Sequence, residues 1–208
     1  MKKLAIFIYA ILGGICIAIA GTVYLSVENK AVGALLFTLG LFIIVTNGFN
    51  LFTGKVSYIF ERPAGYLLDV CVIWIGNFAG CLLVGIAERQ TRILPAIIER
   101  AESVVSAKLN DNLSSIFILA VFCGILMYVA VDGFAKNEHH IGKYIGLFLC
   151  VGGFIICGFE HCVANMYYIS VADAWSGNAL LYMAVMTLGN SVGGVLFPLC
   201  KQLHKKIS

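Results

Sequence analysis

The 208-residue sequence is 61% hydrophobic and only 12% charged, with a mean hydropathy of +0.95, whereas soluble domains are about 45–50% apolar and about 25% charged. That balance excludes an ordinary water-soluble fold, and the small, scattered net charge of +3 excludes nucleic-acid binding, which needs basic residues gathered on one face. One membrane domain over residues 1–208, with room for about six crossings of roughly 20 residues, is the expected organisation.

In chain order, apolar runs predict crossings at 4–26, 31–49, 66–87, 113–131, 142–157 and 178–200. Lys2 and Lys3 precede the first run as they would a signal peptide, but the run exceeds the roughly 7–15 residues of a signal core, so it is read as a helix. The second and fifth runs do not stop cleanly. Phe49 is followed by Asn50-Leu51-Phe52-Thr53-Gly54-Lys55, and Cys157 by Gly158-Phe159-Glu160-His161-Cys162-Val163-Ala164-Asn165, each leading into another apolar stretch. Each reads as a half-helix, a polar break and a second half-helix, and backbone groups released by such a break must be buried in protein or line a watery cavity. Between the third and fourth runs, segment 88–112 mixes Ile93, Leu94, Ile97, Ile98, Val104 and Val105 with Arg and Glu, as an amphipathic helix on the outer face would. Glu88 and Arg92 are spaced to pair along it.

The chain repeats itself. Gly48-Phe49-Asn50-Leu51 answers Gly158-Phe159-Glu160-His161, and Gly76-Asn77-Phe78-Ala79-Gly80 answers Gly189-Asn190-Ser191-Val192-Gly193, at offsets of 110 and 113 residues. Three crossings per unit force the second copy upside down, so the expected fold is an all-α integral membrane protein. It has six transmembrane helices in two inverted three-helix repeats, about 4–87 and 113–200, with helices two and five broken in an aquaporin-like manner. Inverted repeats with matching broken helices mark transporters and channels with a site near the midplane. Lys2, Lys3, Arg62, Lys136, Lys143, Lys201, Lys205 and Lys206 fall on the side holding both termini, against Lys30, Arg89, Arg92, Arg100 and Lys108 on the other. This excess puts both termini in the cytoplasm of a multi-pass protein of the plasma membrane. The eight cysteines lie in apolar runs without zinc-type spacing and read as small buried hydrophobes, so no metal or other cofactor is expected.

Glu160 and His161 sit inside a hydrophobic crossing, where ionisable groups are costly and point to function; the plainer reading is a local pair that caps freed backbone groups. Asn190 could hold the His161 ring in one tautomer, and Gly189, Gly193 and Gly194 allow close helix approach. Lys55, beside the first break, reads as a side chain that snorkels to the surface.

Residues Gly158 to Met166, G-F-E-H-C-V-A-N-M, closely resemble the G-F-E-H-x-x-A-N-M signature of the formate/nitrite transporter family, which includes hydrosulfide channels. Asn50-Leu51-Phe52-Thr53 resembles that family's D-L-F-T break, Gly76-Asn77 and Gly189-Asn190 its paired G-N elements, and Lys108 its outer basic residue. The resemblance implies a homopentamer whose protomers each carry a pore. In it Phe37, Leu41, Leu51, Phe52 and Phe154 form apolar rings around His161, Thr53 and Asn190 are partners of that histidine, and Glu160 pairs with Lys108. Asn50 departs from the usual Asp, the stretch between Asn165 and the sixth helix is short, and no amphipathic helix precedes residue 4, where the family uses one in packing neighbours.

The function so implied is a channel or proton-coupled transporter, not an enzyme, for a small monovalent weak-acid anion (formate, nitrite or hydrosulfide) with a proton as partner. A bare anion meets a severe desolvation barrier in an apolar constriction, so the cargo is expected to cross as the neutral acid. The alternative with the same fold is a channel for small neutral solutes, against which stand the absence of Asn-Pro-Ala at either break and pore positions too apolar to bind a file of solute. A membrane enzyme or metal centre using Glu160, His161 and Cys162 lacks further ligands at suitable spacing.

Overall fold

The computed structural model describes residues 2–207, which are helical apart from short connections, with no strand among them. The helices are α1 (Lys2–Ser26), α2 (Lys30–Asn47), α3 (Phe52–Lys55, continued by a 3-10 turn at Val56–Tyr58), α4 (Tyr66–Glu88) and α5 (Leu94–Leu109). They continue with α6 (Leu113–Lys136), α7 (His140–Ile156), α8 (Cys162–Val171) and α9 (Gly177–Ile207). Five of them, α1, α2, α4, α6 and α9, are long and apolar enough to cross a membrane; α7 and α8 are shorter apolar helices. With 17 residues, α7 rises about 26 Å. The last helix runs past the expected end at 200 and through Pro198.

Helix ends follow from local chemistry. Asn29 and Asn112 cap α2 and α6 with side-chain oxygens that accept from Val32 N–H and Ser115 N–H. Both α2 and α7 give way to a glycine at φ 71°, Gly48 and Gly158, in the left-handed region that only glycine enters freely. The next residue then turns back on the helix, Phe49 N–H to Ile44 O at 3.0 Å and Phe159 N–H to Phe154 O at 2.9 Å.

Helix α1 packs on α4 and α6 on α9 with matching detail. A methyl group on Gly76 would lie 2.5 Å from the Cβ of Ala10, and one on Gly189 2.6 Å from that of Ala120. Glycine here lets two helix backbones meet, as small residues do where lipid gives no hydrophobic drive to association. Asn77 on α4 accepts from Phe52 N–H at 2.8 Å and donates to the carbonyls of Ala10 and Asn50. Asn190 on α9 accepts from Cys162 N–H at 2.8 Å and donates to the carbonyls of Ala120 and Glu160. Each asparagine thus satisfies the orphan backbone groups at the start of one short helix, α3 or α8, and ties it to the long helices behind.

Three expectations need correction. Helix α4 stops at Glu88, so no helical Glu88–Arg92 pair forms; the Glu88 carboxylate accepts instead from Thr22 (2.5 Å) and Tyr167 (2.7 Å), joining α1, α4 and α8. Cys71, Cys157 and Cys200 are exposed rather than buried, because an apolar residue in a membrane protein is as stable against lipid as in the core. The amphipathic segment is helical only over Leu94–Leu109, with Ile97, Ala101 and Val105 as its buried stripe.

Candidate functional site

His161 is the N-cap residue of α8, with extended backbone (φ −97°, ψ 107°). Its Nδ1 lies 3.1 Å from the Ala164 N–H. A backbone amide can only donate, so Nδ1 accepts and the ring proton of the neutral imidazole sits on Nε2. Nε2 in turn faces the Thr53 hydroxyl at 2.8 Å, so that the ring bridges α8 to α3. Phe154 stacks on the imidazole (centroids 5.4 Å apart, planes 26° apart), and Phe37 meets Phe154 edge-on at 6.3 Å. His161, Thr53, Phe37, Phe154, Leu41, Leu51 and Phe52 are all buried.

Two cavities flank this cluster. The first, about 310 Å³, is lined by Lys30, Lys108, Glu160, His161, Asn165 and Tyr168 among others. The second, about 160 Å³, is lined by Leu41, Leu51, Gly54, Lys55, Val131 and Phe134 among others. They lie towards opposite ends of the helices they share: Lys30 at the start of α2 lines the first and Val45 near its end the second, just as Leu119 and Val131 on α6 divide between them. Phe37, Phe52, Thr53 and Phe154 line neither cavity.

On the wall of the first cavity, the Lys108 ammonium donates to both oxygens of Glu160, at 2.9 and 2.8 Å, and the pair is largely shielded from solvent. Asn165 donates to the same carboxylate at 2.6 Å. A buried carboxylate is tolerated only when paired and hydrogen-bonded in this way. Asn165 stands in the G-F-E-H segment, yet the sequence gives no sign of its contact with Glu160, which depends on the turn that opens α8.

Most site residues expected from the sequence therefore converge. The exception is Asn190, whose amide is used up by three backbone partners on either side of His161 and does not touch the ring. Lys55, expected at the surface, is half-buried on the wall of the second cavity. Among the described residues no group of three or more His, Cys, Asp or Glu is placed to hold a metal ion.

Long apolar helices around a buried polar centre, with a cavity towards either end, define a multi-pass membrane transport protein. The sequence model of the formate/nitrite transporter family matches residues 1–202, and the chain belongs to that family. It is 30% identical over 200 residues to a probable formate transporter of Methanothermobacter thermautotrophicus, an alignment covering 82% of this chain and 73% of the relative. It is 27% identical over 191 residues to the nitrite transporter NirC of Salmonella typhimurium, covering 83% and 69%. Its fold matches that of a pentameric formate channel with formate bound, at a TM-score of 0.83 and 24% identity, over 100% of this chain and 98% of the other.

Proposed function

We propose that the protein is a homopentameric channel or proton-coupled transporter that passes a small monovalent weak-acid anion, formate, nitrite or hydrosulfide, across the plasma membrane. Each protomer has six crossings in two inverted repeats, α2–α3 and α7–α8 being the broken helices and both termini lying in the cytoplasm. The matched hydrogen bonds of Asn77 and Asn190 support the repeat, and lipid covers the exposed apolar faces of the long helices.

The observation that carries this reading is the His161–Thr53 hydrogen bond at 2.8 Å, made between the two short helices in the closed stretch that separates the cavities. The first cavity gathers an anion near Lys108. Phe37 and Phe154, then Leu41, Leu51 and Phe52, form a throat in which a bare ion would lose solvation worth tens of kcal/mol in the idealised limit. The cargo therefore crosses as the neutral acid. With Nδ1 held by the Ala164 N–H, the neutral ring has no free nitrogen on which to take up a second proton and so does not become an imidazolium acid. It serves as a neutral hydrogen-bond donor through Nε2, and the proton comes from water in the cavity. Asn190 acts by fixing the backbone on both sides of His161.

Uptake by the purified protein in liposomes tests the reading. Entry of formate or nitrite that rises as external pH falls supports it, whereas swelling in water or glycerol without anion flux would establish a neutral-solute channel instead.

A further inference from the structure

The carboxylate of Asp132 on α6 is 7% exposed, and four groups converge on it. Tyr58 and Tyr128 donate to it at 3.3 and 3.0 Å, and the ammonium groups of Lys136 and Lys201 lie 2.6 and 3.5 Å away. Lys201 also donates to the Tyr128 hydroxyl at 2.9 Å. The two lysine side chains are 64 and 60% exposed. One buried carboxylate thus fixes in place two solvent-facing ammonium groups, each of which carries three protons and spends only part of them on these contacts.

Lys136 and Lys201 line a third cavity, about 190 Å³, together with Lys205, Gln202 and Glu61. Lys205 follows Lys201 by one helical turn, on the same face of α9, and it pairs with no carboxylate among the described residues. Three ammonium groups stand against Glu61 and the Asp132 behind them, an excess of one positive charge. The helices set the depth of the cavity. Lys136 is the last residue of α6, and Lys201 directly follows the apolar part of α9. The cavity therefore lies where two membrane-crossing helices leave the hydrocarbon layer, at the level of lipid phosphates. Apolar surface adjoins the charge: Phe60, Phe197 and Leu203 are 58, 40 and 58% exposed, and Phe197 meets the Tyr128 ring edge-on at 6.3 Å. Lysines that only set topology need to be near a helix end; a shared buried anchor and a cavity are more than that role requires.

We propose that this cavity binds the headgroup of an anionic phospholipid, with Lys136, Lys201 and Lys205 on the phosphodiester and the acyl chains along Phe197 and Phe60. Basic pockets between transmembrane helices suit such headgroups, each lysine near the surface contributing about five-fold in affinity. The single excess charge of the cavity matches the single charge of a phosphodiester, and the exposed rings beside it favour a lipid over a free ion.

The test is thermal unfolding of the purified protein in detergent, titrated with dioleoyl phosphatidylglycerol, dioleoyl phosphatidylcholine or inorganic phosphate, since a ligand that binds only the folded state raises its melting temperature. Phosphatidylglycerol should raise it saturably, and the other two should not. The half-saturating concentration of phosphatidylglycerol should rise about five-fold in Lys205→Gln, which breaks no ion pair, and about twenty-five-fold in Lys136→Gln/Lys205→Gln. Lys143→Gln, which removes an ammonium beside Phe134 and outside the cavity, should change it less than about two-fold. An equal response to phosphatidylcholine would mean ordinary solvation by lipid, and a response to inorganic phosphate would mean an ion site. An equal loss in Lys143→Gln would mean a general effect of charge, and an unshifted Lys205→Gln would mean that the headgroup does not sit in this cavity. Each of these four results overturns the proposal.

Discussion

His161 and Thr53 are 108 residues apart in the chain, yet the ring Nε2 of one lies 2.8 Å from the hydroxyl oxygen of the other. The opposite ring nitrogen caps α8 through the Ala164 N–H. The helix-capping contact and the proposed transport contact thus fall on different atoms of one side chain and can be separated by substitution. Asparagine is a good N-cap and alanine a poor one, by about 1 kcal/mol. His161→Asn should keep near-wild-type thermal stability and His161→Ala should lose a few degrees, while both lose most of the rate of formate uptake. An asparagine variant with the wild-type rate of uptake would remove the ring from the transport step.

Lys108 and Glu160 should behave as a coupled pair. Removing the ammonium leaves a buried carboxylate held by Asn165 alone, and breaking such a pair costs about 3–5 kcal/mol. Thermal unfolding in detergent should show Lys108→Gln to be less stable than the double variant Lys108→Gln/Glu160→Gln. A double variant that simply adds the two single losses would mean that the charges do not depend on each other.

Asn77 and Asn190 make equivalent sets of backbone hydrogen bonds. Each alanine substitution strands two backbone groups at the start of a short helix, at about 1–3 kcal/mol per group, and removes the tie to a carbonyl of the long helix behind. Asn77→Ala and Asn190→Ala should therefore lower the melting temperature by similar, large amounts. Tolerance of one but not the other would show that the two halves are not held in the same way.

Glycines should divide by the reason each is needed. A methyl group on Gly193 would lie 2.0 Å from the carbonyl oxygen of Val121 on α6, so α6 and α9 would have to part. Gly158 has open space around its missing methyl and only its φ of 71° opposes a side chain, a strain of roughly 1–2 kcal/mol. Size-exclusion profiles should show Gly193→Ala aggregated and Gly158→Ala intact.

Features written in residue type were legible in the sequence. Polar residues interrupting an apolar run marked both breaks, after Phe49 and after Cys157, whereas the left-handed turns that end the helices at Gly48 and Gly158 emerged only in the structure. His161 and Glu160 stood out because charge in a hydrophobic run needs a partner. Pairings across helices were not legible. Helical spacing suggested Arg92 for Glu88, but the helix ends there and the partners come from α1 and α8. Asn190 was visible as a polar residue, yet nothing in the chain says that orphan backbone groups at Cys162 and Glu160 would claim its amide before the imidazole could. The surface cysteines show the reverse limit: in lipid, apolar character alone does not tell inside from outside.

The central claim is that the cargo crosses the throat without charge. Proteoliposomes loaded with a pH-sensitive dye and given an inward formate gradient, with no membrane potential, measure it directly. The lumen should acidify in step with formate entry, one proton for each formate, and an imposed membrane potential should leave the rate unchanged. Formate entry that follows the imposed potential and leaves the luminal pH constant would show an ion crossing as an ion, and would contradict the account.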